Sequence, residues 1–437
     1  FVDGATGYVS TGSLGTSNTR LGVNAGDAIQ SGGNYNVVVG DEAGTAITTG
    51  DYNTALGFEA LAATTDRNSN TAIGAQTLKT NVNGAKNTAV GSGALFTMNP
   101  STDGDTFNTA IGFDAGNDVT TGIKNVLLGS RVGDALTEGG NNIAIGDSAL
   151  SSDTLGSKSV AIGDSALYNQ NFTTATTSFN TAVGFEAGNA VTTGQSNTLI
   201  GYEAGEALTT GFANTVLGSA ALSTEDTGRY NVAIGAGTLE NQNSDADNYN
   251  TAVGYEAGND VTTSVKNTLI GGLAGDGITS GDGLNVAVGY NSLGAGSSNT
   301  QENVAIGVDS LKTEDGHGRN TAVGYQTLQT LNAGALAYNT AIGWGVGQAM
   351  TTGVQNTHVG AGSGNLCTVG GLNTAVGYNA LGADTKGSRS VAVGQSALGT
   401  QNFTTATEVY NTAVGMNAGA AITTGYPNTL VGGLAGD

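Results

Sequence analysis

A five-residue core, Asn-Thr-Ala-Val-Gly or a near variant, recurs 24 times, from Asn18 to the copy that begins at Asn428. Successive copies start mostly 17 residues apart, with excursions to 18, 19 or 21. Such a chain repeats one supersecondary unit, and each unit can bury its apolar side only against its neighbours. The spacing predicts one continuous array over residues 18–437, with residues 1–17 as a degenerate first coil or lead-in segment. The sequence begins at Phe1 without Met and stops at Asp437 inside a repeat, which reads as a segment of a longer polypeptide.

The five positions differ in stringency. Position one is Asn except at Ser159 and Ser390, position two is β-branched, position four is Val, Ile or Leu, and position five is always Gly. Alternating β-branched residues suit a strand, whose side chains switch faces with period two. The invariant Gly marks a bend or a close backbone approach that excludes a Cβ. The structural residues expected to define the coil are, in four representative copies, Asn108, Ile111 and Gly112; Asn180, Val183 and Gly184; Asn250, Val253 and Gly254; and Asn411, Val414 and Gly415.

Val191-Thr192-Thr193 and Ile422-Thr423-Thr424 read as a second β-competent run, so two short strands and two tight turns are expected per coil. No 3.6-residue apolar stripe survives between glycines, which argues against helix. Length variation falls before the next Asn, as at Asn171 to Phe179, where a loop tolerates insertion. The expected fold is therefore an all-β solenoid, a β-roll of about 24 coils stacked about 4.8 Å apart into a rod on the order of 110 Å long. Identical residues would lie above one another as Asn ladders and β-branched stacks.

A slower rhythm overlies the coils. Position nine is Gly in adjacent pairs of coils, such as those starting at Asn180 and Asn197, and otherwise mostly Leu. Leu127, Leu199, Leu269 and Leu430 replace Ala at position three in the second coil of such pairs. Exchanging Leu for Gly at one position and Ala for Leu at another conserves interior volume, so Leu199 and Gly205 should be neighbours. Residues 156–188 and 387–419 share 23 of 33 identities, which shows block duplication directly.

Composition narrows the function. Net charge is −22, so phosphate backbones are repelled and nucleic-acid binding is set aside. Gly at 73 without a three-residue period or abundant Pro excludes collagen. No apolar run approaches the roughly 20 residues that would insert into a bilayer as a helix. Hydrophobic content of 38%, much of it Ala, leaves each coil short of large apolar groups. A face of Ala and Gly is then expected to stay exposed, suited to close approach by another copy.

Constellations for chemistry are thin. His317, in the turn-like Asp315-Gly316-His317-Gly318, and His358, in a position-three slot, are isolated. Cys367 stands alone and reads as a small apolar residue of the repeat. No Ser-His-Asp, Cys-His or zinc pattern arises, no cofactor or metal is expected, and the chain is read as no enzyme. Acids such as Glu186, Glu203 and Glu256 recur at position seven as part of the coil motif rather than as one glycosidase pair. Ice binding through Thr at position two is the third option. Val or Ile there in eight coils argues that this position is buried.

Ser159-Val160-Ala161-Ile162-Gly163 and Ser390-Val391-Ala392-Val393-Gly394 resemble the head repeat of trimeric autotransporter adhesins. The Asn-Thr-Ala-Val-Gly-Tyr-Glu-Ala-Gly form at Asn250 to Gly258 is similar to the longer variant of phage tail-fibre-type proteins and large bacterial surface proteins. The resemblance implies a left-handed β-roll assembled as a parallel homotrimer. It also implies an extracellular structural or adhesive fibre, of a cell or a virion, directed at a cell-surface or glycan target.

Overall fold

The computed structural model describes residues 14–314 and 318–437; His317 and residues 1–13 lie outside the described residues. The chain is an all-β parallel solenoid that divides into two compact units, Phe1–Ala213 and Asn214–Asp437. The first unit carries 11 repeat strands, Thr19–Leu21 to Thr198–Ile200, and the second carries 13, Thr215–Leu217 to Thr429–Val431. Each strand spans positions two to four and, within each unit, pairs in parallel with its neighbour, position on position. Thr181, Ala182 and Val183 thus face Thr198, Leu199 and Ile200. Of the lead-in segment, residues 14–17 already join the ladder, since Tyr35 donates its amide to the Thr16 carbonyl at 3.0 Å.

The strand turns its faces opposite to the expectation. Position three points inward, with Ala182, Leu199 and Ala252 fully buried, while positions two and four are half-buried or exposed. The small residues therefore line the interior, and the β-branched residues stand outside. The Ala and Gly face expected to remain open is closed. The inference that Val at position two is buried also fails, since Val37, Val126 and Ile143 are each about 40% exposed (41%, 39% and 39%). Asn at position one, Ala or another aliphatic residue at three, Ala at eight, Leu or Gly at nine and an aliphatic residue at twelve fill the coil, with Val216, Val119 and Ile47 fully buried.

The position-one Asn closes most coils. The Asn125 Nδ2 donates to the Gly139 carbonyl 14 residues on, at 2.9 Å, and its Oδ1 accepts from the Asn142 amide of the next coil at 3.0 Å. Asn108, Asn180, Asn250 and Asn411 make the same closing bond, to Gly122, Gly194, Ser264 and Gly425 respectively, at 2.7–2.8 Å. In these copies one side chain thus fixes both the coil and the stack, with its amide nitrogen and oxygen both paired.

The position-five Gly is required for two reasons. Gly184 has φ +144°, and a Cβ there would sit 2.2 Å from the Gly201 carbonyl oxygen of the next coil. Gly112, Gly254 and Gly415 repeat the arrangement. The expected close approach of backbones is the observed cause.

The second run is not a second strand. Val191-Thr192-Thr193 is a bend, although Thr192 still donates to the Thr209 carbonyl of the next coil at 2.9 Å. Left-handed residues such as Glu186 and Gly188 turn the chain in the stretch just before it. The Leu-for-Ala exchange is steric compensation, as expected. A Cβ at Gly188 would lie 2.6 Å from Leu199 Cδ1, and one at Gly205 would lie 2.8 Å from Leu199 Cδ2.

Candidate functional site: the strand face and its inserted loops

Because positions two and four point outward, each unit presents one strand face with two side-by-side ladders. The outer one is aliphatic throughout, for example Leu56, Ile111, Leu128 and Val183 in the first unit and Leu217, Ile270, Ile342 and Val414 in the second. Several of these remain near 40% exposed, as in Leu128 at 43% and Ile270 at 40%. Such a contiguous apolar track is far larger than the scattered apolar residues of an ordinary surface. No charged side chain occupies position two or four in any copy.

Two further ladders flank the track. The residue before each Asn and the residue at position six are often aromatic, and rings of consecutive coils stack. Tyr35 lies on Tyr52 at 5.0 Å and 7°, and Phe185 on Tyr202 at 5.7 Å and 10°. In the second unit Tyr230 lies on Tyr249 at 4.9 Å and Tyr325 on Trp344 at 6.3 Å. Rings stacked along the ladder occupy one another's faces and turn edges to solvent, which is a poor platform for a sugar ring. Elsewhere in the ladder before Asn a cation caps the next ring, as Lys158 does Phe179 at 5.3 Å and Arg389 does Tyr410 at 5.7 Å.

Inserted residues project where coils exceed 17 residues, and each sits beside a buried polar group that sequence reasoning passed over. Asp153 is fully buried and accepts from the amides of Gly156 and Phe172 at 3.0 and 3.2 Å and from Gln170 Nε2 at 2.7 Å. Asp384 repeats this with Gly387, Phe403 and Gln401, and Glu225 holds Gly228, Asn248 and Gln242. Burial pushes the Asp153 carboxyl above its usual range against the opposing pull of these donors. The segments anchored by Asp153 and Asp384 carry an extra two-residue strand, as in Gly156–Ser157 pairing with Thr176–Thr177, and the one anchored by Glu225 a single bridge from Arg229 to Asp247. The Ser that replaces Asn at position one belongs to the same device. Ser159 Oγ meets Gln170 Nε2 at 2.8 Å, and Gln170 Oε1 accepts from Asn180.

The acids at and beyond position seven form a track on the coil's next side. A groove is lined by Asp114, Asn117, Asp118, Asp134 and Ser151. Burial, then Asp134 and Asp114, raise the Asp118 carboxyl above its ordinary value. Burial, then Asp260 and Glu256, push Asp276 up to about 6. Among the described residues no group of three or more His, Cys, Asp or Glu is placed to hold a metal ion. His358 is interior, 1% exposed, and takes the place Leu199 fills in its own coil. Cys367 is buried at the aliphatic position twelve, as expected, and burial pushes its thiol up to about 12. No helix among the described residues is long and apolar enough to cross a membrane.

The chain matches no protein-family model and no curated protein sequence.

Proposed function

We propose that this chain is a structural rod of an extracellular fibre, a bacterial surface appendage or a phage tail fibre, that packs laterally against copies of itself and presents binding elements outward. The observation that carries this reading is the uncharged aliphatic track along the strand face of each unit. Burying it against another copy removes apolar area in every coil, at about 25 cal/mol per Å². The anchored loops lie outside that face and remain available for display. The likeness of the repeats to autotransporter heads and tail-fibre-type proteins supports the extracellular setting and three copies as the assembly. Multivalent presentation along such a rod raises avidity without new contacts.

A second reading has one observation in its favour: Thr at position two faces outward, as an ice-binding array requires. Val37, Val126, Ile143 and Val160 interrupt it in the first unit, and the aliphatic ladder runs beside it. A thermal-hysteresis assay separates the two.

The test of the leading reading is sedimentation velocity of the wild type beside Ile111→Glu/Val183→Glu. These side chains stand outside the coil, so circular dichroism should be unchanged while the assembly dissociates. A wild type that is a folded monomer at micromolar concentration would refute the reading.

A further inference from the structure

The strand face has two chemically different edges. In the first unit the residue preceding Asn is Lys in three coils, Lys86, Lys124 and Lys158, and is never an acid. Positions six and seven of the same unit hold eight acids, among them Asp114, Asp164, Glu186 and Glu203, against one base, Arg131. Both edges are rigid. The Lys124 and Lys158 amides donate to Thr106 and Gly140 of the preceding coil, and the Asp114 and Glu186 amides donate to Ser92 and Asp164. The aliphatic track lies between them.

Each edge is neutralised only in part within the unit: on the acidic one Glu59 pairs with Lys79 at 2.8 Å and Asp147 with Arg131 at 3.6 Å. Lys124 and Lys158 are exposed and make no ion pair with a described residue, whereas Lys86 reaches Asp105 of its inserted loop at 2.7 Å. On the other edge like charges crowd one another: Glu203 and Glu186 add to burial in raising the Glu206 carboxyl above its ordinary value.

We propose that the lysine edge of one copy seats against the carboxylate edge of the next, and that this pairing sets the direction in which copies pack. The inference rests on the reading that strand faces pack together. Any rotation axis parallel to the ladder brings the edge before Asn of one copy to the position-seven edge of its neighbour. A two-fold axis along the strands instead sets lysines against lysines and carboxylates against carboxylates, which electrostatics disfavours. Association is then heterologous at its edges, parallel in direction and sensitive to salt.

Two charge-reversed variants and their combination test this. They are Lys86→Glu/Lys124→Glu/Lys158→Glu, Asp114→Lys/Glu186→Lys/Glu203→Lys, and all six changes together, each checked for fold by circular dichroism. Sedimentation velocity at low salt should show each triple variant weakened by about tenfold or more, with the six-fold variant restored. At roughly 0.5 M salt the differences should shrink, since exposed charges are screened. Energy transfer between N-terminally labelled copies should be high in the wild type. A wild type that associates equally at both salts, triple variants that associate like it, or a six-fold variant no better than either would overturn the pairing and leave the apolar reading intact. A monomeric wild type would overturn both.

Discussion

His358 is the least compatible residue with its surroundings, and replacing it should both stabilise the second unit and remove a sensitivity to acid. It occupies position three, pointing into a coil interior where the equivalent residues include Leu199 and Leu269. Neither ring nitrogen has a hydrogen-bond partner among the described residues. A Cβ at Gly364 would lie 2.2 Å from the ring, as one at Gly205 would crowd Leu199, so the imidazole simply fills the volume a Leu would take. Burial alone lowers its pKa to about 4. The folded chain therefore takes up a proton less readily than the unfolded one. Stability is complete above the ordinary value of 6.5, falls as pH drops, and levels off below about 4.

At about pH 5 the loss works out at about 2 kcal/mol, roughly thirtyfold in the local opening equilibrium. His358→Leu should abolish that loss and, at neutral pH, add on the order of 1 kcal/mol by removing an unpaired buried polar group. A long repeat array does not unfold in one step, so a single melting temperature is the wrong readout. Coil-resolved hydrogen exchange is the right one, after correction for intrinsic rates. Protection of residues 339–382 should fall between pH 7 and 5 in the wild type and hold in His358→Leu, with residues 180–213 as internal control. Equal pH dependence in both proteins, or weaker protection in the Leu variant, would refute the reasoning.

Two further outcomes follow from the coil geometry. Gly184→Ala places a methyl group 2.2 Å from the Gly201 carbonyl oxygen at φ +144°, so it should separate two coils and cost more than about 1 kcal/mol. Limited proteolysis should then cut between residues 180 and 205, where the wild type resists. Asp153→Ala strands three N–H donors and should free the loop 171–179 at a cost of about 3 kcal/mol, read as lost exchange protection there. Asp153→Asn should cost less, because Asn81 already accepts from Gly84 in the same way in an earlier coil. Since burial raises the Asp153 carboxyl, mild acid should hold this loop rather than release it.

The coil period, the closing Asn and the bare Gly were legible because each answers a constraint that recurs in every copy. The direction of the strand face was not. In Thr181-Ala182-Val183 both faces are apolar or nearly so, and the usual preference for burying the larger residue points the wrong way. The closing Asn decides the matter, because a position one turned inward carries position three with it, and that closure is a property of the ring rather than of any three residues. The buried carboxylates were missed for a related reason. Asp153, Glu225 and Asp384 stand at position twelve, which is aliphatic in other coils, as at Val119, Val191 and Leu208. An acid in an aliphatic slot, one coil before an insertion, was the available signal.

These two misreadings have one cause and one consequence. Which slots face inward is set by the closed coil, which takes Asn at position one, Ala, Val or Leu at three and an aliphatic residue or an anchored acid at twelve. Position four faces out in that arrangement, so the interior does not take up the aliphatic side chains that the repeat supplies there in every copy. Those side chains stabilise the coil little where they stand, half in water, yet all 24 copies keep them Val, Ile or Leu. Within a single chain each group packs on its copy in the next coil and leaves one side in water. Under the proposed lateral packing a second strand face covers that side, and each aliphatic group then leaves water.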